Sequence, residues 1–392
     1  YEALLKPGDT LMGMALSHGG HLTHGSEFNR SGKYYRVVSY GVDPSTGRID
    51  YEAVQRLAEE HRPRLIVGGA SAYPWEIDWG RLRAAADAVG AYLMADIAHP
   101  AGLVAADLFP NPLPHAHVVT FTTHKTLCGP RGAVILTTDP DLFDRVNRAV
   151  FPGEQGGPHL NNIAAMAVAF AIAATEPFRQ LQAQTVANAR ALAEALAARG
   201  LKLAYGGTST HLLLVDLNAL PTPTGVPLKG DVASRVLDLV GVVCNKNTIP
   251  GDANAAHSSA VRFGTTWVSQ RGLREEHMER LAEVIAETLT SIHPFTYDGL
   301  TTTLYRGRIE ARALHRGRER VRALVREAAP EPSPLFAARD VAAALPVVAG
   351  AAPRTLDEQE VRRAAREGAL VLGPSTLAVL RVRGPRAGLL LQ

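Results

Sequence analysis

"VVTFTTHKTLCGPRGAVIL", residues 118–136, carries one lysine between a run of β-branched residues and a Gly-Pro-Arg-Gly turn. The apolar run reads as a buried strand, which places Lys125 just past a strand's carboxyl end. Short apolar runs of the same kind recur on either side, at Thr10–Met14, 36–38, 65–67, 92–95, 117–121 and 133–137. Helical patterns lie between several of them, at Tyr51–His61 and 79–89. That alternation predicts an α/β fold with a mostly parallel sheet covered by helices on both faces.

Farther along, Phe178, Leu181, Ala189, Leu192 and Leu196 form one face of a long helix over 178–199 that stops at Gly200. A smaller α/β region is expected after it, with strands at 201–204, 211–216, 242–244 and 260–263 and a closing helix over 273–291. The expected domains are therefore 1–175 and 176–294. An extension over 295–354 follows, with a charged helix at 306–329 and a Pro- and Ala-rich linker at 330–354, and then a tail over 355–392. Residues 1–5, before the Lys-Pro-Gly-Asp turn, read as the tail of a helix, so the chain is expected to start mid-element. No internal repeat of solenoid period is visible.

Composition narrows the function classes. With 392 residues and 46% hydrophobic content, the chain can bury one large core or two ordinary ones. Basic residues number 41 against 38 acidic, without a basic run or interleaved aromatics, so nucleic acid is not an expected partner. No apolar stretch approaches the ~18 residues of a membrane span, and no signal peptide is recognisable. Two cysteines, Cys128 and Cys244, support neither a disulfide framework nor a metal site, so a cytoplasmic protein is expected. Lysines are few, which makes one at a strand end conspicuous.

In open α/β sheets, ligands sit beyond the carboxyl ends of the strands. Asp96 ends one predicted strand, and His124 and Lys125 follow the next. An acid and an amine in that place suit pyridoxal phosphate chemistry, in which a lysine forms a Schiff base and a carboxylate keeps the pyridine nitrogen protonated. A surface lysine and a helix-capping aspartate account for the same two residues, and spacing alone leaves both readings open.

Six ordered stretches add to this: "LSHGGHLTHGS" (16–26), "GGASAYPWEIDW" (68–79), "MADIAHPAGLVAA" (94–106), "PNPLPHAHVVTFTTHKTLCGPRGA" (110–133), "FPGEQGGP" (151–158) and "VCNKNTIPGD" (243–252). Over residues 1–293 the chain resembles the serine hydroxymethyltransferase family. The resemblance implies a fold-type-I pyridoxal 5'-phosphate enzyme, a homodimer with shared active sites that moves a one-carbon unit between serine, or glycine, and tetrahydrofolate. Position by position, it implies that Lys125 holds the cofactor and Asp96 pairs with its ring nitrogen. His21 stacks on the ring, Ser71 and His99 lie near the phenolic oxygen, and His124 and Thr122 position the reacting groups. Arg262 grips the substrate carboxylate through its planar fork. Gly156 and Gly157 reach the neighbouring subunit's phosphate, and Leu16, Gly20, Leu22 and Asn247 line the folate pocket.

Some residues depart from the family's usual pattern: Cys128, Phe121, Glu154 and the stretch "SSAVRFG" (258–264). They leave α-methylserine open as a substrate beside serine. A threonine-type aldolase is the alternative enzyme, and a non-catalytic relative serving as an interaction subunit is the alternative of another class. Retention of Lys125, Asp96, His21 and Arg262 together favours the enzyme. The resemblance also implies a segment ahead of Tyr1 that completes the active site, so the chain by itself is expected to be inactive. The tail weakly resembles the start of a glycine-cleavage aminomethyltransferase.

Overall fold

The computed structural model describes residues 1–253, 255–299 and 303–328, and the backbones of 370–372 and 377–379. Six strands, β1 (Thr10–Met14), β2 (Arg36–Tyr40), β3 (Leu65–Gly69), β4 (Tyr92–Asp96), β5 (Val118–Thr122) and β6 (Ala133–Leu136), form one sheet in the order β2-β1-β3-β4-β5-β6. The first five are parallel, and β6 runs antiparallel to β5. The central runs β1, β3 and β4 are nearly continuously apolar because both of their faces are buried, whereas β2 and β6 are partly exposed. Met12, Ile66, Leu93 and Val119 pack into one hydrophobic cluster, while Leu11, Leu65, Val67, Met94 and Val118 pack into another.

Helices Tyr51–His61 and Trp79–Asp87 cover the first of these faces. Each starts at an aspartate whose side chain accepts from a first-turn N–H: Asp50 from Ala53 N at 2.8 Å and Asp78 from Arg81 N at 3.0 Å. The order reverses at β1, since the chain passes from β1 to β2 on one side and returns to β3 on the other. The crevice at the carboxyl ends of these strands is the place where such sheets hold ligands.

A second sheet holds β7 (Leu212–Asp216), β8 (Asn245–Asn247) and β9 (Ala260–Gly264), in the antiparallel order β7-β9-β8. Helices Glu176–Ala198, Gly230–Val240 and Glu275–Thr290 bury Leu213, Val215, Val261 and Phe263 on one of its faces. Strand periodicity turns the alternate residues the other way. Leu212, Leu214 and Ala260 meet Ala72 of the loop after β3, and Arg262, paired in register with Leu214, shares their face. A residue of the second sheet thereby reaches the crevice of the first.

Several elements differ from those read in the sequence. Residues 201–204 form no strand, only a bridge from Leu203 to Val215 and a short turn at Ala204–Gly206, because Gly200, Gly206 and Gly207 all adopt positive φ. The strand expected at 242–244 lies at Asn245–Asn247: Val242 is drawn into the helical core, Val243 is 82% exposed, and polar residues make the edge ladder to β9. The charged helix begins at Ala311, since β11 (Thr303–Arg308) pairs with β10 (His293–Asp298) in a hairpin that polar side chains had disguised. Helix Leu160–Ala173 was not expected, and residues 1–5 form a single turn closed by Leu4 and Leu5 N–H groups on the Tyr1 carbonyl. The linker expected at 330–354 lies outside the described residues, as does the 355–392 tail apart from β12 (Leu370–Leu372) and β13 (Leu377–Val379).

Candidate active site

The loops after β1, β3, β4 and β5 close around a cavity of about 220 Å³ lined by His21, Ser71, Asp96, His99, Thr122 and Lys125, among others. Six residues that the sequence singled out therefore meet in one place. Two glycines permit the closeness. A side chain at Gly69, with φ +149°, would strike the Asp96 backbone, and one at Gly20 would strike the Met14 carbonyl.

Asp96 Oδ2 lies 2.9 Å from Nε2 of the buried His24, and Oδ1 accepts from Ala98 N at 3.0 Å. Burial alone would raise the Asp96 pKa. The hydrogen bond from His24, with the Ala98 N–H, outweighs it and holds the carboxyl below its ordinary value. The His24 tautomer is fixed as well, because its Nδ1 accepts from the His21 N–H at 3.3 Å and so leaves Nε2 to donate. His24 was not singled out in the sequence, although the His-Leu-Thr-His spacing carries the signal: one 3-10 turn brings the two rings to 5.8 Å.

Lys125 sits across the cavity. Desolvation lowers its pKa, the nearby Asp96 raises it, and Arg262 lowers it further, for a net decrease. His21 is lowered too, first by burial and then by His24, and its Nδ1 engages Thr23 Oγ1 at 2.8 Å. Ser71 Oγ donates to the Gly20 carbonyl at 3.0 Å, and Thr122 Oγ1 to the Ala98 carbonyl at 3.1 Å. Arg262 reaches over from β9 and donates from Nη1 to the Ser71 carbonyl at 2.5 Å and from Nη2 to Asn245 Oδ1 at 3.2 Å.

The remaining residues fall elsewhere. His124, next to Lys125 in sequence, is turned from the cavity toward Arg131, whose Nη1 is 3.4 Å from its Nε2. Gly156 and Gly157 are exposed and line no cavity of their own chain among those found around the site. A second cavity of about 340 Å³ adjoins the first and shares His21 with it. Leu16 lines it and Gly20 packs beside it, whereas Leu22 is 45% exposed and Asn247 pairs with Ala260; neither lines it. Thr248, missed in the sequence, does line it, and its Oγ1 donates to the Leu16 carbonyl at 3.2 Å.

His211, at the entrance to β7, was also missed, since nothing in an apolar strand's first residue marks it. Its Nε2 is 3.4 Å from His99 Nδ1, with ring centroids 5.6 Å apart and planes 21° apart. Those values place the rings edge to edge, because rings stacked face to face cannot bring one nitrogen pair so near at that separation. Both are held neutral. Burial, then Arg262 and Lys125, lower His211 to about 3, and burial followed by Lys125 lowers His99.

A family model described as serine hydroxymethyltransferase matches residues 1–285. The chain belongs to that family. It is accordingly a fold-type-I, pyridoxal-phosphate-dependent transferase of the serine and glycine one-carbon chemistry. The residues present fit the cofactor: a carboxylate kept ionised in an enclosed site, an amine with its ammonium disfavoured, and an imidazole between them at the wall.

The neutral imidazoles give a pH signature. An unfolded histidine takes up a proton below about pH 6.5, whereas folded His211 resists until about pH 3, so in that window the unfolded chain binds more protons. Stability should therefore be full above pH 6.5 and fall on acidification, by at most about 1.4 kcal/mol per pH unit for each such ring. Urea unfolding at pH 6.5 and 5.0 checks it: His211→Gln should lose less than the wild type between the two pH values, and equal losses would remove His211 from the account.

Proposed function

We propose that this chain transfers the hydroxymethyl group of serine reversibly to tetrahydrofolate, giving glycine and 5,10-methylenetetrahydrofolate. The observation that carries this reading is the meeting in one cavity of Asp96, backed by His24, with Lys125. Asp96 would hold the proton of the cofactor's ring nitrogen, His21 would cover a ring face, and Ser71 and His99 would face its phenolic oxygen. When bound, the cofactor supplies an electron-poor ring that takes up the electron pair left when the bond between the substrate's α- and β-carbons breaks.

The chain's own residues do the rest. Lys125 Nζ, whose ammonium burial disfavours, would hold the cofactor, and as an amine it can move a proton within the cavity. Arg262 binds the substrate carboxylate through two parallel N–H groups, which fixes the direction of the breaking bond. Thr122 stands on the same wall, and His124 supports the lysine turn from outside. The adjoining cavity, lined by Leu16 and Thr248 with Gly20 beside it, is read as the folate side; the family's assignment of Leu22 and Asn247 to it is kept as part of the proposal, although neither lines it here. Its contact with the first cavity through His21 supports folate-dependent transfer over a threonine-type aldolase. Together the two cavities reach the size usual for small-molecule sites.

A homodimer is part of the same reading. Gly156 and Gly157 project away from their own chain's cavity, and Leu160, Phe170, Ile135 and Leu136 expose apolar surface that a second copy would cover. Light scattering should give twice the chain mass; a fully active monomer would overturn this part.

Two further outcomes are expected. Borohydride reduction of the cofactor-loaded protein should fix the cofactor to the peptide containing Lys125, and recovery on Lys229 or Lys246 would reassign the site. Asp96→Asn should keep the circular dichroism of the folded chain and, in the protein carrying the segment expected ahead of Tyr1, lose about a hundred- to a thousandfold in serine cleavage, as for other deleted electrostatic stabilisers. An undiminished rate in that variant would refute the role of Asp96.

A further inference from the structure

Buried polar atoms that lack a partner need an explanation, and His211 Nδ1 is one of them. The ring cannot easily turn away. It is only 7% exposed, and its backbone is tied down where its carbonyl accepts from Thr265 N at 3.0 Å and Thr265 Oγ1 at 3.3 Å. Its other nitrogen, Nε2, points edge-on at His99 Nδ1.

Two neutral imidazoles in this arrangement share one proton, and only two arrangements exist. If His99 Nδ1 carries the proton, His211 must carry its own on Nδ1, where it is a buried N–H without an acceptor. If His211 Nε2 carries it, Nδ1 is left as a bare lone pair. Among buried backbone groups, unpaired N–H donors are rarer than under-satisfied acceptors; by that analogy the second arrangement, which leaves a lone pair and not a donor unpaired at Nδ1, is favoured. His99 Nδ1 then accepts, and its own proton sits on Nε2. Among the described residues His99 Nε2 has no hydrogen-bond partner, and His99 lines the cavity with Lys125 and Ser71.

We propose that His211 is a positioning residue which, by donating from Nε2 to His99 Nδ1, fixes His99 in the tautomer that presents an N–H donor to a negatively charged oxygen in the cavity. The inference rests on the reading above, that the cavity takes pyridoxal phosphate, only in naming that oxygen as the cofactor's phenolic one. The burial and the positive charges of Lys125 and Arg262, which keep both rings neutral, maintain the shared proton across the physiological range. Protonation of both rings would leave two N–H groups facing one another.

The test reads the tautomer directly and without cofactor. In the full chain labelled with ¹⁵N-histidine, the two-bond ¹⁵N–¹H coupling pattern at pH 7.5 should show His99 protonated at Nε2 and His211 also at Nε2, with assignments taken from single His→Gln variants. His211→Phe keeps a ring but removes the donor and should shift His99 toward the Nδ1 tautomer. His211→Gln, whose amide N–H can reach the same place, should restore the wild-type pattern. An unchanged His99 tautomer in His211→Phe, or Nδ1 protonation of His211 in the wild type, would overturn the proposal. If the Phe variant fails to fold, the wild-type and Gln spectra still decide it.

A second reading links it to the site. His211→Phe should weaken pyridoxal phosphate binding about tenfold, the scale of one hydrogen bond to a charged acceptor, while His211→Gln stays near the wild type. Equal weakening in both variants would mean that His211 only fills space. Should the wild type itself bind no pyridoxal phosphate, the cofactor reading fails, and the tautomer result still decides on His211.

Discussion

The arrangement around the crevice turns on keeping one enclosed carboxylate charged. Asp96 lies where burial favours its neutral form, and a single imidazole N–H from His24, with one backbone N–H, tips the balance. That imidazole has to be aimed. Its far nitrogen is tied to the backbone of His21, and the turn carrying both is docked on the loop after β3, where Ser71 N and Ala72 N donate to the Gly19 carbonyl. Removing one partner from an enclosed charge pair costs far more than the pair contributes, so the three loops are interlocked by the needs of one group. Gly69 and Gly20 are where that interlocking is felt in the sequence.

The strands of the main sheet were legible because the central ones, β1, β3 and β4, are buried on both faces and so are nearly continuously apolar. Elements stabilised mainly by backbone pairing at an edge were not. The β10–β11 hairpin and the Asn245–Asn247 strand carry polar side chains, and their hydrogen bonds leave no hydrophobic period. In the site, Asp96, Lys125, His99, Ser71, Thr122 and His21 stand on segments whose order along the chain matches their place at the strand ends, and family resemblance completed what spacing alone left undecided. His24 and His211 escaped because their importance lies in which nitrogen faces which atom. Leu22 and His124, sequence neighbours of residues that line the cavity, point away from it in this chain.

The lysine turn is built as a rigid mount. Thr123 Oγ1 donates to the Pro130 carbonyl at 2.6 Å and Gly129 N to the Thr123 carbonyl at 2.7 Å, which closes the loop on itself, and Cys128 adopts a left-handed φ of 60° within it. Gln182, buried in the helix packed below, donates to the Thr126 carbonyl at 2.8 Å. Thr126 Oγ1 in turn donates to the His99 carbonyl at 2.5 Å. One chain of hydrogen bonds thus joins the mount of the amine to the backbone of His99, whose ring shares the cavity, so that small displacements of either are passed to the other.

Arg262 bridges the two sheets. Its guanidinium donates to the Ser71 carbonyl, an uncharged acceptor, across the seam between them. On the proposed reading, a substrate carboxylate would compete for the same fork and prevail by charge. Ligand entry would then be an exchange of partners at an arginine already desolvated and aimed, with little to reorganise. The exchange would also unfasten one stitch across the seam, so that occupancy of the site and the fit of the two sheets would form a single equilibrium.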